Sequence, residues 1–367
     1  MRNFLTLAAL LAVLALLIPF VSALLLPGMG MQPAADLPPL TVTSSGAEES
    51  ASPQSTAQQS QEPDREEADE TAEADGISRF RIYDRGTGEI FELDAGQYIL
   101  GALASEMPPS FHQEALRAQA VAAHTWAVYS AAMHREYPDE TILGADFSVD
   151  TTRDEGYLSQ ERFFSRYGAT AELYWPKLTE SAEWAATRLL FYDGEPALAV
   201  YHAMSCGMTE ASENVWQAAL PYLVPVESKG DLLSPDYQVT ETFDQKTMRY
   251  LLEQAFDGVA LDEGDPAGWI QPLETSPSGY LISVQVGDQT VHGQALRHAL
   301  SLRSSCMEVS FSGGTFTIET RGYGHGVGMS QYGADFMARQ GTDCAGILAH
   351  YYPGTELVQV SRTDGGA

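Results

Sequence analysis

Two prolines in succession, Pro108 and Pro109, fix the layout of the stretch from Gln97 to His134. Proline cannot continue a helical hydrogen-bond ladder, and it pushes the residue before it out of the helical region. Ahead of the corner, Tyr98, Ile99, Leu100 and Leu103 recur at roughly helical spacing, and Asp94 with Gln97 makes a capping box in front of them. Beyond it, Ser110 stands as an N-cap, Glu114 falls in the first turn, and Ala, Leu and Val fill a long body. The pattern predicts helix, corner, helix, with Glu106 at the junction. A carboxylate in the last turn of a helix faces the negative end of the macrodipole, which disfavours its charged form. That suits an acid with a high pKa better than it suits a structural glutamate.

The start of the chain carries Arg2 and then no charge until Asp36. Its apolar run, residues 4–26, is long enough to cross a bilayer, so residues 1–27 are expected to form a transmembrane anchor. Val21-Ser22-Ala23 resembles a cleavage site and leaves a removed signal peptide as the alternative. Arg2 on the near side and acidic sequence beyond predict a single-pass protein of the cell membrane, with its bulk extracytoplasmic. Residues 28–76 are rich in Pro, Ser, Gln, Ala, Glu and Asp, with eleven acidic residues against Arg65. Such a segment buries too little apolar surface to offset its ordering entropy, and is expected to be a disordered acidic linker. The formal net charge of the whole chain is −30, and the folded part stays acidic without the linker, which argues against nucleic-acid binding.

A folded domain is expected over residues 77–361, followed by a short tail at 362–367. ISRFRIYD and GEIFELD read as two strands about a turn, followed by the two helices. Residues 141–176 read as loop with a short helix, and LLFYDGEPALAVYH as a hairpin about Asp193-Gly194-Glu195. KTMRYLLEQAF reads as a helix, residues 280–302 as strand, turn, strand, helix, and residues 307–326 as a second hairpin. Two helices ending at a Pro-Gly stop close the chain. The fold class is α+β, a single large mixed helix/sheet domain. Cys206, Cys306 and Cys344 are odd in number and widely spaced; they make no disulfide framework, though one bridge could form outside the cell. Their spacing gives no metal site, since His202 and Cys206 are a single pair.

Three groups of residues beside Glu106 could carry chemistry. In RGYGHGVGMSQYGA the glycines permit a close backbone approach, with His325 and Gln331 as polar groups at that surface; a tight strand-to-helix turn with a structural histidine is the plainer reading. In YHAMSCG, a Cys206/His202 nucleophile pair is disfavoured by its spacing, whereas Tyr201 and Ser205 suit the lining of a sugar cleft. On the long helix Arg117 and His124 share a face and Gln119 points roughly the other way, with packing and solvation as their plainer roles.

YILGALASEMPPSFHQEALRAQAVAAHTWA resembles the signature of the SpoIID/LytB family, and SCGMTEASENVW, ALRHALSLRSS, RGYGHGVGMSQYGA and ILAHYYPGTEL follow in family order. The resemblance spans residues 77 to 358, and the anchor with its acidic tether is closer to the sporulation members than to secreted relatives called amidase enhancers. It implies a lytic transglycosylase that cleaves the bond between N-acetylmuramic acid and N-acetylglucosamine in peptide-stripped peptidoglycan glycan strands during sporulation (engulfment), leaving 1,6-anhydro ends. The family's catalytic glutamate falls on Glu106. A central substrate groove is implied to be lined by Arg117, Gln119, Tyr201, Ser205, His325 and Gln331. The implied partners are the glycan strands, a cell-wall amidase and other sporulation membrane proteins. A non-catalytic glycan-binding amidase enhancer is the alternative.

Two departures stand out. His124 replaces an arginine that many relatives carry in this signature. Some sporulation members hold zinc with cysteines and a histidine after the long helix; FSVDTTRDEGY has Ser148, Arg153 and Asp154 there and no cysteine, so neither zinc nor another cofactor is expected. Ordinary glycosidases need two carboxylates. A transglycosylase that uses the sugar's own 6-hydroxyl as nucleophile needs one, acting as acid and then as base, with a pKa near the working pH.

Overall fold

The computed structural model describes residues 79–216 and 218–360. The expected span at residues 4–26, the linker at 28–76 and the tail at 362–367 lie outside the described residues. Among the described residues, no helix is long and apolar enough to cross a membrane. The architecture is α+β, with helices packed among several small sheets.

The two opening strands are β1 (Arg79–Asp84) and β2 (Glu89–Asp94), antiparallel as expected, and β3 (Phe147–Val149) adds to β1 in parallel. Helix α1 (Ala95–Glu106) starts at Asp94 with the capping box fully formed: the Asp94 carboxylate accepts from the Gln97 amide and Gln97 accepts from the Asp94 amide. It stops at Met107, whose extended backbone turns the chain into the two prolines. Helix α2 (Gln113–Glu136) follows, but its cap is His112, through Nδ1 accepting from the Glu114 amide, and not Ser110. The corner uses two more residues than its composition suggested, because Phe111 N–H closes a turn onto Pro108 O.

Helix α2 is the axis of the larger core. Sixteen of its 24 residues are buried, seven of them alanine, so neighbours reach its backbone from several sides at once. Against it pack α1, α4 (Ala171–Ala185), α8 (Gln331–Arg339), α9 (Cys344–Tyr351) and β4 (Arg188–Tyr192). Phe80, Tyr98, Trp126 and Phe147 form an aromatic cluster with centroids 4.8–5.4 Å apart, joining β1, α1, α2 and β3.

The region 141–176, expected to be loop with a short helix, holds β3, helix α3 (Gln160–Tyr167) and the first turns of α4. Pro176 stands inside α4, where it removes one backbone hydrogen bond. The helix continues through it because Ala171, Leu178, Ala182 and Ala185 are buried in the core, outweighing the lost hydrogen bond. The Asp193-Gly194 turn joins β4 to β5 (Glu195–Pro196) with positive φ at both residues, a two-residue hairpin turn. The second half of that hairpin leaves the sheet after Pro196, and β14 (Glu356–Gln359) pairs with the opposite edge of β4.

A second hydrophobic cluster gathers Met248, Leu252, Trp269, Val284, Val286, Leu296, Phe316 and Ile318. It is built from β7 (Gln238–Asp244), α6 (Gln245–Ala255), β8 (Ile270–Thr275), β9 (Leu281–Val286), β10 (Gln289–His292), α7 (Gly293–Ala299), β11 (Met307–Ser312) and β12 (Thr315–Arg321). The predicted hairpins β9–β10 and β11–β12 are both present, and β8 and β7 extend them. A short parallel pair, β6 (Tyr201–His202) with β13 (Met329–Ser330), brings residues from the middle and the end of the chain side by side.

Candidate active site

Glu106 is the last residue of α1, and the segment after β3 lies across it. Leu158 N–H donates to Gly101 O at 2.9 Å and Ser105 Oγ to Asp154 O at 2.6 Å. The ring of Tyr157 packs where a Gly101 side chain would stand. This cover brings Gly156 N–H to the Glu106 carboxylate and a second carboxylate, Glu155, near it. Glu106 itself is only partly exposed. Desolvation pushes its pKa from the usual carboxylate range up to about 7; the Gly156 hydrogen bond pulls the other way and the Glu155 charge adds to the rise. The raised pKa expected from helix position is present, with desolvation as its leading cause.

Glu155 gave no signal in the sequence, sitting in a polar run of short-range turns. It is buried, its pKa is raised by desolvation, and Arg85 opposes that rise from 3.5 Å. The two-way backbone pairing of Asp150 with Glu155 fixes its place. The rest of this segment is engaged structurally: Asp154 pairs with Arg162 and Arg166, Arg153 lies 3.7 Å from Asp150, and Ser148 is in β3. Among the described residues no group of three or more His, Cys, Asp or Glu could hold a metal ion.

Burial, and after it the Glu106 charge, raises the phenol pKa values of Tyr201 and Tyr98. The Tyr201 side chain meets that of Gln119, and Gln331 Nε2 donates to Gln119 Oε1 at 3.4 Å. Glu106, Tyr201, Gln119 and Gln331 are therefore one connected set, drawn from α1, β6, α2 and the first turn of α8. Its polar groups are mostly buried, so they are ordered before any ligand arrives.

The glycine-rich stretch carries the far wall. Met204 and Tyr323 exchange both backbone hydrogen bonds, and Glu210 N–H donates to Gly326 O. The approach is close enough that a side chain at Gly324 (φ +118°) would press on His202 Cβ at 2.7 Å, and one at Gly328 would run into Val200 O. His325 is buried between Trp216 of the short helix α5 (Glu213–Trp216), at 5.2 Å, and His202, at 5.6 Å, with its Nδ1 accepting from Val327 N–H. Desolvation keeps both histidines neutral, His202 with a pKa of about 4 and His325 well below its ordinary value.

The remaining residues singled out from sequence lie elsewhere. Arg117 is held by Glu114, at 2.6 Å, and by Glu180, with its guanidinium 5.4 Å from the Trp184 ring centre. His124 shares that face of α2: its Nδ1 is 3.0 Å from both Ala185 O and Arg188 O, and burial lowers its pKa to about 4. The opposed faces expected for Arg117 and Gln119 are present. Ser205 is fully buried, its amide and hydroxyl both donated to Asp231 Oδ2 at 2.7 and 2.6 Å, so its side chain reaches no surface. Asp231 Oδ1 accepts from Ser330 Oγ at 2.7 Å, so this one carboxylate ties the loop after β6 to the start of α8. His202 and Cys206 share no hydrogen bond among the described residues; Cys206 Sγ is donated to Ser278 O.

The set of Glu106, Gln119, Tyr201 and Gln331 lies within a chain that has clear relatives. The model of the SpoIID family, described as Stage II sporulation protein, matches residues 83–192. Stage II sporulation protein D of Bacillus subtilis is 33% identical over 290 residues, covering 78% of this chain and 81% of that protein. The protein of the same name from Bacillus amyloliquefaciens is 34% identical over 277 residues, covering 75% and 77% respectively. An amidase enhancer of Bacillus subtilis is 28% identical over 316 residues, covering 70% of this chain and 40% of the relative. The chain belongs to the SpoIID family of stage II sporulation proteins.

Proposed function

We propose that this protein is a membrane-anchored lytic transglycosylase of the sporulating cell envelope, acting during engulfment on peptidoglycan glycan strands from which an amidase has removed the peptides. The observation that carries this reading is the Glu106 carboxyl, whose pKa of about 7 lets it work in both protonation states near neutral pH. Protonated, Glu106 donates to the oxygen linking N-acetylmuramic acid to N-acetylglucosamine as that bond breaks. As carboxylate it then takes the proton of the muramic acid 6-hydroxyl while O6 closes on C1. The product carries a 1,6-anhydro ring, no water is consumed, and Glu106 ends protonated again. A nucleophilic second carboxylate is not needed, which is consistent with Glu155 being buried and drawn to Arg85.

Tyr201 and Gln331 offer neutral hydroxyl and amide groups that suit the hydroxyl and acetamido groups of a sugar, with the buried Gln119 holding both in place and the buried His325 backing that wall. The groove, the anchor at residues 4–26 and the extracytoplasmic placement belong to the same proposal. Peptide-free glycan strands incubated with the purified protein should yield anhydro-ended fragments by mass spectrometry, and Glu106→Gln should yield none. Full activity of Glu106→Gln, or no anhydro product from the wild type, overturns it.

The second reading is a non-catalytic glycan-binding protein that stimulates an amidase, motivated by the 28% identity to a protein named amidase enhancer. It predicts strand binding without cleavage, and amidase stimulation that survives Glu106→Gln.

A further inference from the structure

Cys206 and Cys306 are 100 positions apart in the sequence and meet in space. The two thiols are hydrogen-bonded to each other. A side chain on Gly279 would stand 3.6 Å from Cys306 Sγ and 3.7 Å from Cys206 Sγ, which puts both sulfurs around one point. Their backbones are fixed independently. Cys206 N–H donates to Tyr280 Oη at 3.1 Å and Cys206 O accepts from Tyr237 Oη at 2.9 Å. Cys306 N–H donates to Ser304 Oγ, and Cys306 O accepts from Arg321 N–H, both at 2.9 Å. Cys344 is elsewhere, at the start of α9, where its neighbours are Glu114, Arg117 and Asp343.

We propose that Cys206 and Cys306 form a disulfide that fastens the loop after β6 to the residue leading into β11, accepted by exchange from a disulfide donor outside the cytoplasm. The bridge goes beyond the glycan chemistry and stands without it. What it fastens is the wall of the candidate site. The Cys206 loop continues from Tyr201 and His202, and β11 pairs with β12, whose end runs into Gly322–Gly328. A covalent tie there locks together two segments that otherwise meet through the Met204–Tyr323 backbone pair.

The two thiols are suited to ordered exchange. Cys206 is partly exposed and its pKa is lowered, chiefly by the hydrogen bond from Cys306; Cys306 is buried and its thiol is pushed up, so it holds its proton. The Cys206 thiolate attacks one sulfur of the donor, whose S–S bond breaks and whose leaving thiolate takes up a proton. Cys306 then gives its proton to solvent and attacks Cys206 Sγ, expelling the second donor thiol. Two electrons pass from the cysteine pair to the donor, giving one protein disulfide and two donor thiols.

The test uses the full-length chain in detergent micelles, treated with oxidised glutathione, denatured and alkylated without reduction. One thiol, that of Cys344, should be alkylated, against three after dithiothreitol, and the non-reduced peptide map should join the Cys206 and Cys306 peptides. Three free thiols, a bond through Cys344, or glutathione left on Cys206 overturns the proposal. Closing a loop of about 100 residues should raise the melting temperature by about 5–10 °C over the reduced form. That gap should persist in Cys344→Ser and vanish in Cys206→Ser and in Cys306→Ser; its persistence in either of the last two also overturns the proposal.

Discussion

Gln331 Nε2 and Gln119 Oε1 stand 3.4 Å apart, although the two residues are separated by 212 positions. Gln119 is fully buried on α2 and Gln331 opens α8, so this bond joins the glycine-rich motif to the central helix directly beneath Tyr201. Gln119→Leu fills the same space without an acceptor and leaves the Gln331 amide and the Tyr201 hydroxyl short of a partner. The expected cost is about 1–3 kcal/mol, read as a lower midpoint in urea unfolding. An unchanged midpoint would mean that the contact organises nothing.

The pH dependence of glycan cleavage follows from Glu106. With a pKa of about 7 the acid form predominates below neutrality and is lost above it, so cleavage should fall as pH rises through about 7. Removing the Glu155 charge removes one cause of the raised pKa, so Glu155→Gln should move that falling limb to lower pH. Initial rates measured across pH 5–9 for the two proteins check both statements. A limb that stays in place in Glu155→Gln would show that desolvation alone sets it.

The same carboxyl should make the protein less stable at high pH. Its folded pKa, about 7, lies above the ordinary 4.5 expected of the unfolded chain. Between those values the folded state holds a proton that the unfolded chain releases. Stability is therefore fully retained below about pH 4.5 and lost as pH rises through about 7. Glu106→Gln has no charge to bury. It should be more stable than the wild type by about 1–3 kcal/mol at pH 8, with the difference shrinking toward zero at pH 4. Chemical denaturation at the two pH values measures this without any substrate.

Local sequence chemistry was enough to read the capping box at Asp94 and Gln97, the proline corner and the Asp193-Gly194 turn, because each is decided by residues within a few positions of one another. It failed at the first turns of α4, which fell in the stretch 141–176 read as loop with a short helix, because burial of Leu178 and Ala182 against the distant α2 core decided the helix. It also failed at Ser110, whose side chain is a better N-cap than that of His112 but stands two residues too early for the turn that Phe111 closes. In the site, the position of Glu106 at a helix end was legible. Glu155 was not, since nothing local marks a carboxylate that acts through space on a helix laid down 49 positions earlier. Ser205 was misleading for the complementary reason. Its loop looked exposed, and the carboxylate that buries its hydroxyl, Asp231, comes from a segment with no motif of its own.

The wall formed by the glycine-rich stretch depends on backbone contact that a single methyl group would break. Gly328 has φ +72°, and a side chain there would collide with the carbonyl oxygen of Val200 just before β6. Gly314, in the turn between β11 and β12, has a similar φ of +82° but open space around it. Gly314→Ala should cost about 1–2 kcal/mol, the strain of a left-handed alanine alone. Gly328→Ala carries that strain and also forces β13 away from β6, so its cost should reach about 3–5 kcal/mol. Urea unfolding of the two variants side by side separates the terms. Equal losses would mean that β6 and β13 yield freely, and that the Tyr201 side of the site is not held by the glycine motif.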